Sequence, residues 1–526
     1  MFVKAYTATI YGVDAMAVAV EATVSSGIGM YLVGLPDGAV KESQDRIRSA
    51  FINCDMRMTG KRLVVNLAPA DVRKEGAAFD VPIAVAILAA TEQIATDRLN
   101  DYMITGELSL DGAIKPVRGV LPIALAARKG GFRGVIVPME NVPEAAVVQG
   151  LEVIGVENLK QASAFLDGKL EIAPAPQYTG AAEIETAQNA YTEDFSDVRG
   201  QSHVKRALEI AAAGGHNIIM IGAPGSGKTM LARRMPTIMP PMTLDEALET
   251  TKIHSVAGKL GARRGLLRER PFRAPHHLTS QVALIGGGSN PQPGEVSLAH
   301  NGILFLDELP EFGRSVLEVL RQPMEDKSIS VSRAKYSVEY PANFTLVASM
   351  NPCPCGFYNH PTKECVCGGG VVFRYLNRIS GPLMDRIDLH IEVVPVPLEE
   401  MSTAAPGESS SEIRRRVVAA RNIQSRRFAD CPGVHTNAMM NSKMLREFCR
   451  LSRESAAMLA TAMERLSLSA RAYDRIIKVA RTIADLSAVG DSAAVCVPTA
   501  DAPDITPAHI AEAINYRTLD RENWGR

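Results

Sequence analysis

The 526-residue chain has no apolar run long enough to cross a bilayer. It has no basic start followed by an apolar core and a small-residue cleavage site, no repeat of fixed period and no long low-complexity tract. Transmembrane, exported, solenoid and disordered classes therefore fall away, and a cytoplasmic location without membrane contact is expected. Cysteine is scarce, at eight residues, so a disulfide scaffold is excluded; four of the eight nevertheless crowd into one short stretch, which in a reducing compartment points to metal. The chain has almost no excess charge, with a formal net of −1, so any nucleic-acid contact must come from local basic patches and not from bulk attraction. What remains is an ordinary globular composition, 46% hydrophobic and 22% charged, long enough for roughly three or four folding units at about 150 residues each.

Along the chain, short β-branched runs (Arg62–Leu67, Gly134–Pro138) alternate with Ala-rich helical stretches such as Val81–Thr91, predicting an α/β domain over residues 1–172. Residues 173–192 are rich in Pro, Ala, Gly and polar groups and read as a linker. A second α/β domain, 193–396, opens with a helix over Phe195–Ala213 and a strand at Ile218–Ile221 that runs straight into a glycine-rich turn. Further strands are expected at Ile303–Leu306 and Phe344–Ser349. Beyond Pro397 the pattern turns helical (Ser411–Phe428, Ser442–Cys449, Glu454–Arg465, Ser469–Leu486), so 397–526 reads as a helical lid.

The glycine-rich turn, Gly222-Ala223-Pro224-Gly225-Ser226-Gly227-Lys228-Thr229, fits the G-x-x-x-x-G-K-[ST] phosphate loop between a strand and a helix, the context that motif needs. Backbone N–H groups there cradle phosphates, Lys228 neutralises their charge, Thr229 ligates Mg²⁺, and the following helix aims its positive N-terminus at the anion. Ile303-Leu-Phe-Leu-Asp307-Glu308 is an apolar strand ending in two carboxylates, which suits Asp307 to holding Mg²⁺ through water and Glu308 to polarising the attacking water. An acid-ended strand alone is weak evidence; paired with the phosphate loop it is strong. Asn351, at the end of the next strand, is placed to orient the water beside the γ-phosphate, the alternative being a turn-forming Asn-Pro.

These segments, together with PFRAPHH (Pro271–His277), GGGSNPQPGEVSLAHNGILFLDELPEF and RISGPLMDRIDLH, resemble the magnesium-chelatase-like branch of the AAA+ ATPases. The resemblance implies ATP and Mg²⁺ as cofactors and two further arginines: Arg386, reaching the neighbouring subunit's nucleotide, and Arg471, sensing the γ-phosphate from the start of a lid helix. An arginine supplied in trans explains why such motors work as rings. The alternative for Arg386 is a local salt bridge to Asp385 or Asp388.

The amino-terminal stretches TGELSLDGAIKPV (from Thr105) and GVIVPMEN (Gly134–Asn141) are similar to the proteolytic domain of Lon protease. By that resemblance Ala78 stands at the nucleophilic serine and Ile123 at the activating lysine. Neither side chain can attack a carbonyl or take a proton, so the fold is expected without the protease chemistry, as a binding or assembly module. A Lon-like domain ahead of a chelatase-like motor, over nearly the whole chain, resembles the ComM/YifB family. That implies a hexameric DNA helicase that drives branch migration on single-stranded and branched DNA during homologous recombination and natural transformation, alongside recombination proteins. The competing function is an ATPase powering metal insertion, although nothing here forms a tetrapyrrole site.

Cys353-Pro-Cys355 and Cys365-Val-Cys367 offer four thiolates for a closed tetrahedral zinc site, with His360 as a substitute ligand; four reduced thiols are the alternative. Cys54, Cys431, Cys449 and Cys496 stand alone. Lys259–Arg273 carries six basic residues and one acid, and Ser328–Pro341 reads as a hairpin presenting Arg333 and Lys335 near its tip. In related motors such insertions line the pore, where positive loops track a DNA backbone; solvated surface charge is the other reading. The Arg414–Arg427 helix reads as lid surface, and Ser487–Pro503 as a surface loop.

Overall fold

Alternation of β-branched runs with Ala-rich helices builds two separate sheets in the computed structural model, which describes residues 1–177, 191–261, 265–288, 291–333, 336–358, 360, 362–396, 407–466, 468–489 and 504–517. The first sheet uses β1 (Phe2–Tyr11), β2 (Asp14–Ser25), β3 (Met30–Val33), β4 (Arg62–Ala68), β5 (Tyr102–Ile104), β8 (Gly134–Pro138) and β9 (Glu152–Val156), in the order β3-β4-β2-β1-β5-β8-β9. Strands β6 (Glu107–Leu108) and β7 (Ile114–Lys115) form a small separate hairpin. β1 and β2 pair antiparallel over ten positions, whereas β5, β8 and β9 are parallel, so the sheet is mixed. The helix Asp80–Ala90 is buried along its whole length, which explains its unbroken run of Ala, Val, Ile and Leu.

The second sheet uses β10 (Ile218–Ile221), β11 (Phe272–Arg273), β14 (Ile303–Leu306), β17 (Thr345–Met350) and β18 (Leu389–Glu392), all parallel, in the order β11-β14-β17-β10-β18. Every residue of β10, β14 and β17 is buried, as expected where helices cover both faces of a parallel sheet. The hairpins β12 (Gly286–Gly287) with β13 (Gln292–Pro293) and β15 (Ser328–Arg333) with β16 (Tyr336–Pro341) project as separate two-stranded units, the second at the predicted position.

Helices Ser410–Arg427, Ser442–Phe448, Arg453–Arg465, Ala470–Val489 and Pro507–Asn515 follow. Among the described residues they have no separate core: Val417, Ile476, Ile483 and Ile510 belong to the same buried cluster as Ile218 and Phe305 of the sheet. This corrects the reading of Arg414–Arg427 as surface in part: Arg415 and Arg426 are exposed, whereas other arginines of the helix turn inward. Arg421 donates to the Ala212 carbonyl at 2.9 Å, and Arg427 is buried against Asp485 at 2.6 Å, because that helix faces both the sheet-covering helix Ser202–Gly214 and the helix Ala470–Val489. The latter helix runs on to Val489, three residues into the expected loop; positions 490–503 lie outside the described residues.

The two sheets meet through the helix Leu244–Val256. Met242, Ala247 and Leu266 join the cluster beneath the first sheet, the Gly119 N–H donates to the Ser255 carbonyl at 3.2 Å, and the Ser255 hydroxyl donates to the buried Glu144, whose carboxyl burial pushes up. No helix among the described residues is long and apolar enough to cross a membrane.

Candidate nucleotide site and cysteine cluster

Parallel pairing sets the site. Ile221 pairs with Met350 and Leu306 with Ala348, so the segments leaving β10, β14 and β17 emerge side by side at one end of the sheet, where open α/β sheets bind ligands. The phosphate loop needs its glycines for different reasons. A Cβ on Gly222 would stand 2.3 Å from the Val393 carbonyl oxygen, whereas Gly225 and Gly227 adopt φ of +79° and +92°. From Gly227 the chain enters the helix Lys228–Ile238, which points its N-terminus back into the loop.

Lys228 is nearly buried. Its Nζ donates to the carbonyls of Gly222 (2.6 Å) and Ala223 (2.9 Å) and to Asn351 Oδ1 (3.3 Å). Burial lowers its pKa, and the nearby Asp307 and Glu308 oppose that shift. Thr229 Oγ1 donates to Asp307 Oδ2 at 2.9 Å, bringing the two expected Mg²⁺ groups together across 78 residues of chain. The other Asp307 oxygen accepts from the Ser349 hydroxyl and from the Glu308 N–H (3.1 Å). Two carboxylate oxygens, a threonine hydroxyl and an open loop of N–H donors make a donor set that fits Mg²⁺ carried by a nucleotide phosphate. Glu308 itself has φ of +53°, and its half-exposed side chain lies 3.8 Å from His277 Nδ1.

Arg386 and Arg471 are placed differently. Arg471 is exposed on the first turn of the helix Ala470–Val489. Arg386 is buried just before β18, with Nη2 2.7 Å from Glu325 and Nη1 donating to the Pro382 carbonyl at 2.7 Å, while its Nε is buried without a partner. The local partner is thus Glu325, and neither Asp385 nor Asp388 takes that place. Asp388 instead accepts from Arg475 (2.8 Å) and the Asn217 N–H (2.8 Å), with His216 3.8 Å away. Burial raises its pKa; Arg475, His216 and Asn217 outweigh that and hold it well below the usual carboxylate range. Glu325 closes the helix Arg321–Asp326, which leads directly into β15, at whose end Arg333 stands; Lys335 lies outside the described residues. Among the basic residues of Lys259–Arg273, Arg263 and Arg264 also lie outside them, and Arg270 and Arg273 are engaged with Glu246 and Glu295.

The four cysteines converge. The Sγ atoms of Cys353, Cys355, Cys365 and Cys367 all lie within 4.8 Å of one another, with Cys353–Cys355 at 3.3 Å, Cys355–Cys365 at 3.5 Å and Cys353–Cys365 at 3.7 Å. A tetrahedral Zn–S₄ centre with bonds of about 2.3 Å requires sulfurs about 3.8 Å apart, so the set fits a closed zinc site. His360 is not part of it: its Nδ1 accepts from the N–H groups of Thr362 and Lys363 at 3.2 Å, a turn contact of its own loop. The cluster touches the nucleotide site, because Gly356 lies against the Pro224 ring of the phosphate loop.

In the first sheet, Ala78 sits in the turn before the helix Asp80–Ala90, its carbonyl accepting from the Gly106 N–H at 3.1 Å, and Ile123 is core. Lys74 is buried too, and its ammonium donates to the Pro69 and Val72 carbonyls, not to a nucleophile. The contacts that spacing did not reveal are Ser349 on Asp307, His277 beside Glu308, Glu325 on Arg386 and Arg475 on Asp388. Each joins residues at least 31 positions apart; His277, Ser349 and Arg475 stood in segments already singled out, but nothing local pointed to their partners, and Glu325 stood in none.

Comparison with known proteins covers nearly all of the chain. The family described as magnesium chelatase, subunit ChlI matches residues 194–401, subunit ChlI of Mg-chelatase matches 20–141, and the ChlI C-terminal family matches 407–517. The chain is 44% identical over 520 residues to the uncharacterized protein YifB of Escherichia coli (98% of this chain, 97% of that one). It is 43% identical over 519 residues to competence protein ComM of Haemophilus influenzae, with the same coverage. Lon protease 2 of Bacillus subtilis is 29% identical over 124 residues, 23% of this chain and 22% of that one.

Proposed function

Because the chain belongs to the ComM/YifB family of magnesium-chelatase-like AAA+ ATPases, we propose that it is an ATP-driven DNA motor, a ring-forming helicase of the cytoplasm that moves branched DNA during homologous recombination and natural transformation. The observation that carries the reading is the meeting of Lys228, Thr229, Asp307, Glu308 and Asn351 at one end of the parallel sheet. MgATP is the substrate. Gly222 to Gly227 hold the phosphates through backbone N–H groups, Lys228 leaves the loop carbonyls to meet the β and γ phosphates, and Thr229 and Asp307 hold the metal. Glu308 takes the proton of the attacking water while Asn351 orients it. Arg471 senses the γ-phosphate from the start of a lid helix, and Arg386 completes the site of a neighbour, which makes hydrolysis depend on a closed ring, a hexamer.

One full-length relative is named a competence protein, which supports DNA as the partner. The β15–β16 hairpin with Arg333 and Lys335 would contact the phosphate backbone without reading sequence. In this scheme residues 1–172 form a Lon-like binding or assembly module, 173–192 a linker, 193–396 the ATPase core and 397–526 the lid. The four cysteines hold a structural zinc that fixes the loop after Asn351.

The test is steady-state hydrolysis of MgATP with and without single-stranded and forked DNA. Glu308→Gln should bind ATP and lose roughly 100-fold or more in turnover. Arg386→Ala should lose hydrolysis while nucleotide binding persists. The double change Arg333→Ala, Lys335→Ala should keep basal hydrolysis and lose DNA stimulation. Wild-type protein that hydrolyses ATP yet fails to bind any DNA at low salt would transfer the motor to metal insertion.

A further inference from the structure

The first two strands of the chain meet at a very short turn. Tyr11 pairs with Asp14, which leaves Gly12 and Val13 as a two-residue loop, and Gly12 takes φ of +65°, the left-handed region that such a turn asks of its first central residue. A tip of this kind ordinarily points into water. Here it is seated on the ATPase half of the chain. The Tyr11 hydroxyl donates to the Ser337 carbonyl of β16 at 3.0 Å, and a Cβ on Gly12 would stand 2.8 Å from Val338 Cγ1. Val13 packs against the buried cluster that contains Ile329, Val331, Val338 and Tyr340. Asp14 pairs with Lys252 of the helix Leu244–Val256, which holds the turn from another side.

What the turn holds is an element that is weak by itself. β15 and β16 join neither large sheet, and an isolated two-stranded ribbon is marginal in water. Their alternation puts Ile329 and Val331 opposite Tyr340 and Val338 on a buried face, while Ser330, Ser337 and Glu339 are exposed on the other. The buried face belongs to the same cluster as Leu304 and Leu306 of β14 and Leu346 of β17, so the base of the ribbon is anchored in the ATPase core. Tyr11 and Gly12 reach the other end. Ser337 pairs with Ser332, one register step from the Arg333–Tyr336 pair that leads into the tip. The first domain therefore touches the hairpin beside the residues assigned to DNA.

We propose that the turn Tyr11–Asp14 is the positioning element of the β15–β16 hairpin: through it the first domain sets where the hairpin stands, and so how strongly DNA stimulates hydrolysis. A basic tip held at a defined place meets a phosphate backbone with less ordering cost than a loose one. The turn acts on hydrolysis only through the hairpin, so its loss leaves basal turnover in place. The inference rests on the reading of the hairpin as the DNA contact.

The experiment is steady-state ATP hydrolysis by the full-length protein with and without forked DNA, with DNA affinity read by fluorescence anisotropy at low salt. Gly12→Ala drives a methyl into Val338 and should keep basal kcat within about twofold while stimulation by DNA falls about fivefold or more. Tyr11→Phe deletes one hydroxyl without adding bulk and should lower stimulation about threefold. Gly150→Ala, at φ of +75° in the same domain with nothing within 4 Å of the added Cβ, carries the backbone cost alone and should be stimulated as wild type is. On the Arg333→Ala, Lys335→Ala background, Gly12→Ala should weaken DNA binding no further, because the turn acts through the hairpin. Stimulation within about twofold of wild type in either turn variant, an equal loss in Gly150→Ala, or a basal rate that falls in step with the stimulated one would each overturn the proposal. If the Arg333→Ala, Lys335→Ala protein is itself stimulated normally, the hairpin reading falls first and takes the proposal with it. If that protein loses stimulation while the turn variants keep theirs, the hairpin reading stands and the proposal alone fails.

Discussion

Replacing Gly356 by alanine asks whether the cysteine loop and the phosphate loop act as one unit. Gly356 has φ of +84°, where a Cβ costs roughly 1–2 kcal/mol. The added Cβ would also stand 2.4 Å from Cδ and 2.7 Å from Cγ of Pro224, ring atoms that cannot swing aside as a flexible side chain would. Overpacking of this kind adds about 1–3 kcal/mol, giving about 2–5 kcal/mol in all. Two glycines separate these contributions. Gly433 has φ of +76° with nothing within 4 Å of an added Cβ, so its alanine variant carries the backbone cost alone. Gly60 has no positive φ and nothing within 4 Å of an added Cβ, so its alanine variant should be nearly silent. If the phosphate loop yields, only the overpacking is relieved by its movement, and the lower end of that contribution, about 1 kcal/mol, corresponds to a loss of roughly fivefold in ATP affinity for Gly356→Ala. Titration with a fluorescent ATP analogue, beside thermal unfolding of the same three variants, reads the effect. Gly356→Ala that binds nucleotide within about threefold of wild type at an unchanged Tm would refute the coupling.

Elemental analysis of protein purified without chelators should find about one zinc per chain, falling to none in Cys353→Ser with Cys355→Ser, and metal-free wild type would contradict the site. Asp388→Asn removes the buried partner of Arg475 and should cost about 3–5 kcal/mol, read by urea unfolding. The folded pKa of Asp388 is depressed, so its contribution to stability is complete above the unfolded value of about 3.9 and is lost as pH falls through the lower folded value; wild type should therefore lose stability more steeply than Asp388→Asn in that acid window. Glu325→Gln weakens the hold on Arg386 by about 1–3 kcal/mol, so hydrolysis at limiting protein concentration should rise several-fold; a fall to the level of Arg386→Ala would mean that Glu325 keeps the arginine in its working position.

The phosphate loop was legible in the sequence because its chemistry is local: consecutive N–H groups must wrap one phosphate, so the residues that do it are consecutive too. The strand ending in Asp307 and Glu308 was legible for the same reason, and the hairpin from Ser328 to Pro341 shows in its alternation. Contacts across the fold were not. Arg386 has two acids within two positions, and the expectation of a partner among them failed because the turn before β18 buries its side chain towards Glu325, 61 residues earlier. His360 stood near the cysteines in sequence and is absent from their cluster, since its ring is used to cap its own turn. The helix Ser410–Arg427 read as surface because its many arginines suggest water. Burial of Arg427 becomes tolerable through Asn437 and, above all, through Asp485 on a helix that no local pattern connects to it.

Hydrolysis at this site is proposed to move DNA. The direct measurement follows a labelled three- or four-way junction incubated with the purified protein and MgATP, with wild type and Glu308→Gln side by side. The account predicts that wild type resolves the junction into its migrated products only when ATP is present, and that Glu308→Gln binds the junction and leaves it in place. Wild-type protein that hydrolyses ATP in the presence of the junction while the strands stay where they were would contradict it.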